Sequence, residues 1–288
     1  MLNQLKNINE LVMFKHTIFS MPFIFIAIFV EQYHIDGSIL IGWKVFFLAV
    51  LATISARNFA MSFNRYIDAK HDALNPRTKN RPSVDGRISK FNMILFMSIN
   101  ALVFVIVAYF INITAFFLSV PVLCFLGFYS FVKRFSYLAH IVLGITLGLA
   151  PLAGVIAVSG SINLWSIFLS LGVIFWVAGF DLLYSLQDEA FDKKHGLHSI
   201  PAKFGVHKTL LISLIFHVFT SIFWALFIYQ ASLGIFAIIG TIISVIILIC
   251  EHLIVRKGLK QINKAFFTLN GYLGIIFFIF ILTEIGIK

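Results

Sequence analysis

Nine stretches of about twenty predominantly apolar residues, joined by short basic connections, leave this chain few ways to fold outside a lipid bilayer. They run over residues 17–33, 44–63, 91–111, 113–131, 138–159, 163–183, 209–229, 232–254 and 266–286. Segments of that length cross the hydrocarbon as helices, because a helix satisfies its backbone polar groups internally. The third and fourth meet at Ile111, Asn112 and Ile113, with only Asn112 between them. They are two spans all the same, since about 20 residues already cross the core. Pro22, Pro121 and Pro151 lie within spans, where neighbouring helices or polar groups can satisfy the freed carbonyls. The expected fold class is all-α, a polytopic membrane protein of about nine transmembrane helices forming one domain over 1–288.

Only 12% of the residues are charged, too few to cover a soluble surface. The net charge of +10 does not indicate nucleic acid, because the positive residues sit between apolar spans and act as topology signals facing the bilayer. With the N-terminus in the cytoplasm, 19 of the 22 Lys and Arg fall on the cytoplasmic side. Lys44 and Lys288 fall outside, and Arg57 lies within a span. That bias predicts a cytoplasmic N-terminus and a C-terminus on the opposite side; the expected location is the bacterial inner membrane. Lys6 and Lys15 precede the first span, but no small-residue cleavage site follows it, so it is expected to be retained. Cys124 and Cys250 lie in apolar runs and indicate neither a disulfide framework nor a zinc site.

The two longest inside loops, 64–90 and 184–208, hold the chemistry. Asn64, Asp68 and Asp72 are spaced i, i+4, i+8, one stripe on a helix leaving the membrane. Asp181, Tyr184, Asp188 and Asp192 follow i, i+3, i+7, i+11, again a single helical face. Half of the chain's 12 acidic residues fall in these two places. Like charges so arranged repel unless cations lie between them. Oxygen donors without nearby cysteine point to Mg²⁺, with Asn64, Asp68, Asp72, Asp188 and Asp192 as candidate ligands. The plain alternative is a pair of solvated loops whose acids are balanced by adjacent lysines and arginines. The motifs Asp68-Ala-Lys-His-Asp72 and Asp188-Glu-Ala-Phe-Asp192 also echo each other at an offset of 120 residues, a pattern that transporters share.

Arg57 and Asp181 lie inside apolar spans, where an ionisable group is costly and marks a functional site by default. Two roles stand open for them. They can form a structural ion pair, or Arg57 can hold an anionic acceptor while Asp181 orients a phenolic hydroxyl or accepts a proton. Arg77 and Lys79 suit either a departing diphosphate or anionic lipid, and Arg81 is assigned to the diphosphate. Lys133, Arg134 and Lys203 are further candidates to reach the same anion. His140, His217 and His252 are expected to be hydrogen-bonded within or near helices rather than metal ligands, and His16 is a weaker candidate for substrate contact. Gly127, Gly144, Gly148, Gly154 and Gly179 are expected to serve close helix packing.

At these residues the chain resembles the UbiA superfamily of intramembrane aromatic prenyltransferases, over nearly its whole length. Lys15 to Pro22 is similar to the family's first helix, and Arg57 to Pro82 to its first aspartate motif. Gly179 to Asp192, with Gly196-Leu-His-Ser-Ile-Pro201, is similar to the second. Arg65 after Asn64 departs from the commonest Asn-Asp start and is similar to the 4-hydroxybenzoate-like branch. The resemblance implies nine helices around a central cavity with cytoplasmic cap loops, two Mg²⁺ binding a polyprenyl diphosphate between the motifs, and an aromatic acid acceptor in the cavity. The expected activity is Mg²⁺-dependent prenylation of a 4-hydroxybenzoate-type acid in respiratory quinone biosynthesis. A dihydroxynaphthoate of a menaquinone route is the alternative acceptor. From a different class, a secondary carrier would place its charges near the bilayer midplane, whereas most acids here crowd one face.

Overall fold

The computed structural model describes residues 2–13, 17–258, 262 and 268–288. Lys15, His16, Lys260 and Lys264 lie outside these, as do 266 and 267, the first positions of the expected last span. The chain is built from helices α1 (Leu2–Val12), α2 (Thr17–Asp36), α3 (Trp43–Leu74), α4 (Lys90–Ile111), α5 (Ile113–Val132) and α6 (Ala139–Ser159). There follow α7 (Leu164–Ser185), a 3₁₀ turn (Leu186–Asp188), α8 (Glu189–Lys194), α9 (Ile200–Gln230), α10 (Ile235–Arg256) and α11 (Asn270–Ile287). Among the described residues eight helices are long and apolar enough to cross a membrane. The 20-residue α2 covers the expected first span as well, so each expected span falls on a helix.

Local chemistry explains the boundaries. Helix α3 runs for 32 residues, well past its apolar part, because nothing between 64 and 74 breaks it. It stops at Leu74, where Pro76 disfavours helical backbone at Asn75. The single residue between α4 and α5 serves both: the Asn112 amide donates to Ala108 O at 3.2 Å, and its side chain accepts from Ala115 N at 2.8 Å. Helix α9 begins nine residues before the expected span. The Ser199 hydroxyl caps it by accepting from Ala202 N at 3.3 Å, and Pro201 sits in its first turn. That first stretch is polar, and α9 kinks at Gly205, whose φ of 74° suits glycine.

Two compact units emerge, residues 1–18 with 44–131 and residues 19–43 with 132–288. In the first, Phe63 lies against Phe131 at 6.0 Å and faces Gly127, while Asn58 Nδ2 donates to Asn100 Oδ1 at 3.0 Å. In the second, the core gathers Phe23 of α2, Trp176 of α7, Trp224 of α9 and Phe277 of α11, with Trp224 and Phe277 stacked at 4.6 Å. Helix α7 packs against α6 and α9 through residues without bulk. A Cβ on Gly144 would strike the Ile174 carbonyl, and one on Gly172 the Trp224 ring. Backbones approach closely at such positions, which is how helices associate when lipid offers no hydrophobic drive. The stripe Ile242, Ile246, Ile249 and Leu253 on α10 stays exposed, as a lipid-facing surface should.

Candidate active site

In the first unit, α3 carries Arg57, Asn64, Asp68 and Asp72 on one uninterrupted helix. Their spacing keeps them on one face, with Arg57 about 10 Å deeper along the axis than Asn64. Asn64 Nδ2 donates to Asp68 Oδ2 at 2.8 Å. Arg81 Nη1 donates to both oxygens of Asp72 at 2.7 Å, so the basic turn folds back on the acidic stripe. Thr78 fixes that turn through a 3.0 Å bond to Asp72 O, and Asn75 Oδ1 accepts from Arg77 N at 3.0 Å. The Arg77 side chain itself lies exposed. Arg65 is buried beside Asn64, at 3.5 Å from its Oδ1. Arg57 Nε is shut off from water and has no hydrogen-bond partner among the described residues.

The second unit holds the other motif. Asp181 and Tyr184 end α7, the 3₁₀ turn carries Asp188, and α8 carries Asp192. The face expected to be continuous is therefore broken, since three 3₁₀ residues turn the chain about 60° further than α-helical ones. A Schellman-type end closes α8: Leu197 N donates to Asp192 O at 3.0 Å, and Gly196 takes φ +66°. Asp188 and Asp192 are both buried. Lys133 Nζ stands 2.7 Å from Asp192 Oδ2, and the Lys133 carbonyl accepts from His198 N at 2.8 Å, so the residue that follows α5 is tied to this motif twice. Lys203 Nζ lies 4.2 Å over the Tyr137 ring. An open recess of about 210 Å³ is lined by Tyr137, Asp192, Lys193, Gly196, His198 and Lys203. Arg134 is exposed. Tyr184 packs against the apolar cluster of Leu183, Leu186 and Val255.

Asp181 takes its bond within this unit, from His140 Nδ1 at 2.7 Å. His140 is thus hydrogen-bonded as expected, but its pairing with Asp181, 41 positions away, carries no sequence signal. Tyr137 lies in no motif, and His198 falls in the segment 196–201 with no role of its own assigned by the sequence. His198 adjoins the second motif along the chain, whereas Tyr137 joins it only through folding.

Asp192 bears on whether a metal suits these residues. Its side chain is 1% exposed, and beyond the charge contact with Lys133 neither oxygen accepts a well-formed hydrogen bond among the described residues. A buried carboxylate with one cation and empty lone pairs is costly, and a hard cation relieves that cost. Neither unit by itself brings together three His, Cys, Asp or Glu among the described residues. Mg²⁺ needs fewer, since it commonly takes one or two carboxylates and completes its shell with water and substrate phosphates. The donors present fit such an ion.

A sequence model described as the UbiA prenyltransferase family matches residues 20–281. The chain belongs to this family. UbiA relatives named 4-hydroxybenzoate octaprenyltransferase include one from Providencia stuartii, 31% identical over 84% of this chain and 90% of the relative. A second, from Psychrobacter arcticus, is 28% identical over 68% of this chain, a match that spans 65% of that relative's length. The apo structure of a UbiA homolog from Aeropyrum pernix K1 superposes with a TM-score of 0.84 at 30% identity, covering 93% of this chain and 98% of that one. A UbiA homolog from Archaeoglobus fulgidus bound to DMAPP and Mg²⁺ shares the fold, with a TM-score of 0.69 at 20% identity over 98% of this chain and 100% of that one. This UbiA chain is an integral membrane enzyme that transfers prenyl groups, which sets the carrier alternative aside.

Proposed function

We propose that the chain transfers a polyprenyl group from an allylic diphosphate to an aromatic acid of the 4-hydroxybenzoate type, with Mg²⁺, in the bacterial inner membrane. Its N-terminus is cytoplasmic and its C-terminus lies on the opposite side. The observation that carries this reading is the buried, under-coordinated Asp192 beside Lys133, within a chain otherwise sparing of charge. Relatives named for 4-hydroxybenzoate support the acceptor, and a same-fold homolog bound to DMAPP and Mg²⁺ supports the donor and metal.

Asn64, Asp68 and Asp72 of the first motif, and Asp188 and Asp192 of the second, are the residues we assign as Mg²⁺ ligands, and bound Mg²⁺ would in turn take diphosphate oxygens. Bound Mg²⁺ would supply charge neutralisation of the leaving diphosphate. Arg77, Arg81, Lys133, Arg134 and Lys203 add fixed positive charge for the same anion. The allylic C–O bond breaks with its electron pair leaving on the diphosphate. The electron-rich ring carbon ortho to the phenol then attacks the allylic cation. Aromatic faces, abundant with 34 Phe, stabilise that cation and exclude water. Arg57 offers its guanidinium to the acceptor carboxylate, Asp181 faces the phenol, and Tyr184 supports the diphosphate end.

Membranes containing the chain, labelled farnesyl or geranyl diphosphate and a panel of aromatic acids test this proposal. Labelled product is expected with 4-hydroxybenzoate. Product with a dihydroxynaphthoate alone would move the chain to the menaquinone alternative, and none with any aromatic acid would overturn the reading. In the same assay Arg57→Ala is expected to raise the acceptor KM about tenfold or more, the worth of a hydrogen-bonded charge pair, while the diphosphate KM stays put. An unchanged acceptor KM and kcat would remove that role from Arg57.

A further inference from the structure

Asp181 is the one acid of the second motif that lies within the apolar part of its helix, and a neighbouring helix is built to meet it. Helix α6 presents His140, Gly144 and Gly148 at i, i+4, i+8, and α7 answers with Ser170, Ile174, Ala178 and Asp181. The seam is tight. Ser170 Oγ donates to Gly148 O at 2.6 Å, and Cβ atoms on Gly144 or Gly148 would collide with Ile174. One turn beyond Gly144 the same approach sets His140 Nδ1 2.7 Å from Asp181 Oδ2. The carboxylate keeps 19% of its accessibility and the imidazole 4%, so Asp181 stands in front and His140 behind it. An ionised carboxylate can only accept, which puts a proton on His140 Nδ1 and leaves Nε2 as the other nitrogen. Nε2 is buried and has no partner among the described residues. Only the bond to Asp181 therefore accounts for a polar side chain at this position.

We propose that His140 is a positioning residue that holds Asp181 ready to take the proton from the prenylated ring. After the new C–C bond forms, the ring C–H bond breaks and its electron pair restores aromaticity. The proton passes to the Asp181 carboxylate, with no oxidant or reductant involved. A carboxylate in an apolar seam has several rotamers, and few of them meet a ring carbon. The Nδ1–H bond selects one, in the way a carboxylate and an imidazole fix each other in hydrolytic triads. The proposal rests on aromatic prenyl transfer being the reaction of this site.

The test uses the full chain in lipid vesicles with prenyl diphosphate, Mg²⁺ and an acceptor deuterated at the carbon that is prenylated. With ionisation slow, the wild type is expected to show no primary isotope effect on kcat. His140→Leu is expected to lower kcat about 100-fold, leave the diphosphate KM unchanged and expose a primary isotope effect, because proton loss has become slow. His140→Asn places an amide N–H where Nδ1–H was and is expected to recover most of the lost rate. His140→Gln, with its amide one atom further out, is expected to recover little. The Asn and Gln pair keeps the comparison decisive if the leucine variant does not accumulate. Equal rates for Asn and Gln, or a slow His140→Leu without an isotope effect, would overturn the proposal. Failure of the wild type to prenylate any aromatic acid would instead overturn the proposed function.

Discussion

Alanine at Asp68 or at Asp188 is expected to lower prenyl transfer about 100- to 1,000-fold, with the protein still inserted and folded. The magnitude reflects what these carboxylates must do, since a preorganised charge acting at a leaving group contributes about 3–4 kcal/mol when water is excluded. Neither side chain is a pillar of the helix packing. Asp68 is half-buried in the last turns of α3, and Asp188 sits, buried, in a 3₁₀ turn outside the long helices. Two outcomes are separable by measuring yield in membranes, melting in detergent and turnover with labelled diphosphate. Near-normal activity of either variant would refute the metal–diphosphate assignment of its motif. Loss of protein from the membrane would instead reveal a structural role.

Chelation is expected to have an equally large effect. Turnover should vanish in EDTA and return when Mg²⁺ is added in excess. The physical ground is Asp192, which is buried with lone pairs left over after its contact with Lys133. Its neighbours offer oxygen donors and no thiolate, which favours a hard ion over zinc. Titration of activity against added metal is the measurement. Full activity in EDTA would contradict a metal-dependent mechanism even if prenyl transfer itself were confirmed. Metal dependence and acceptor choice thus stand or fall on different experiments.

Much of the fold was legible because each span declares itself. Apolar length is a property of one segment, and the nine expected segments fall on helices with boundaries shifted by a few residues in most cases. The larger differences lie where polar sequence is helical. Helix α3 continues to Leu74, and α9 starts at Ile200 behind its Ser199 cap; apolarity cannot report either. The first acidic stripe could likewise be read from spacing, since i, i+4 neighbours share a face on any unbroken helix. The second could be read only in part, because the 3₁₀ turn at Leu186–Asp188 rotates Asp188 and Asp192 away from where an α-helix would carry them.

By itself the sequence determined that this chain lives in a bilayer, where its apolar helices lie, and which two segments gather the acids. Tertiary structure alone decided the partners: His140 for Asp181, Lys133 for Asp192, Tyr137 for Lys203. Hydrophobic length and helical period act within one segment, so they leave a local trace. The choice of neighbouring helix rests on glycine-sized gaps and buried polar bonds between distant segments; a glycine marks a close contact in the sequence without naming its partner.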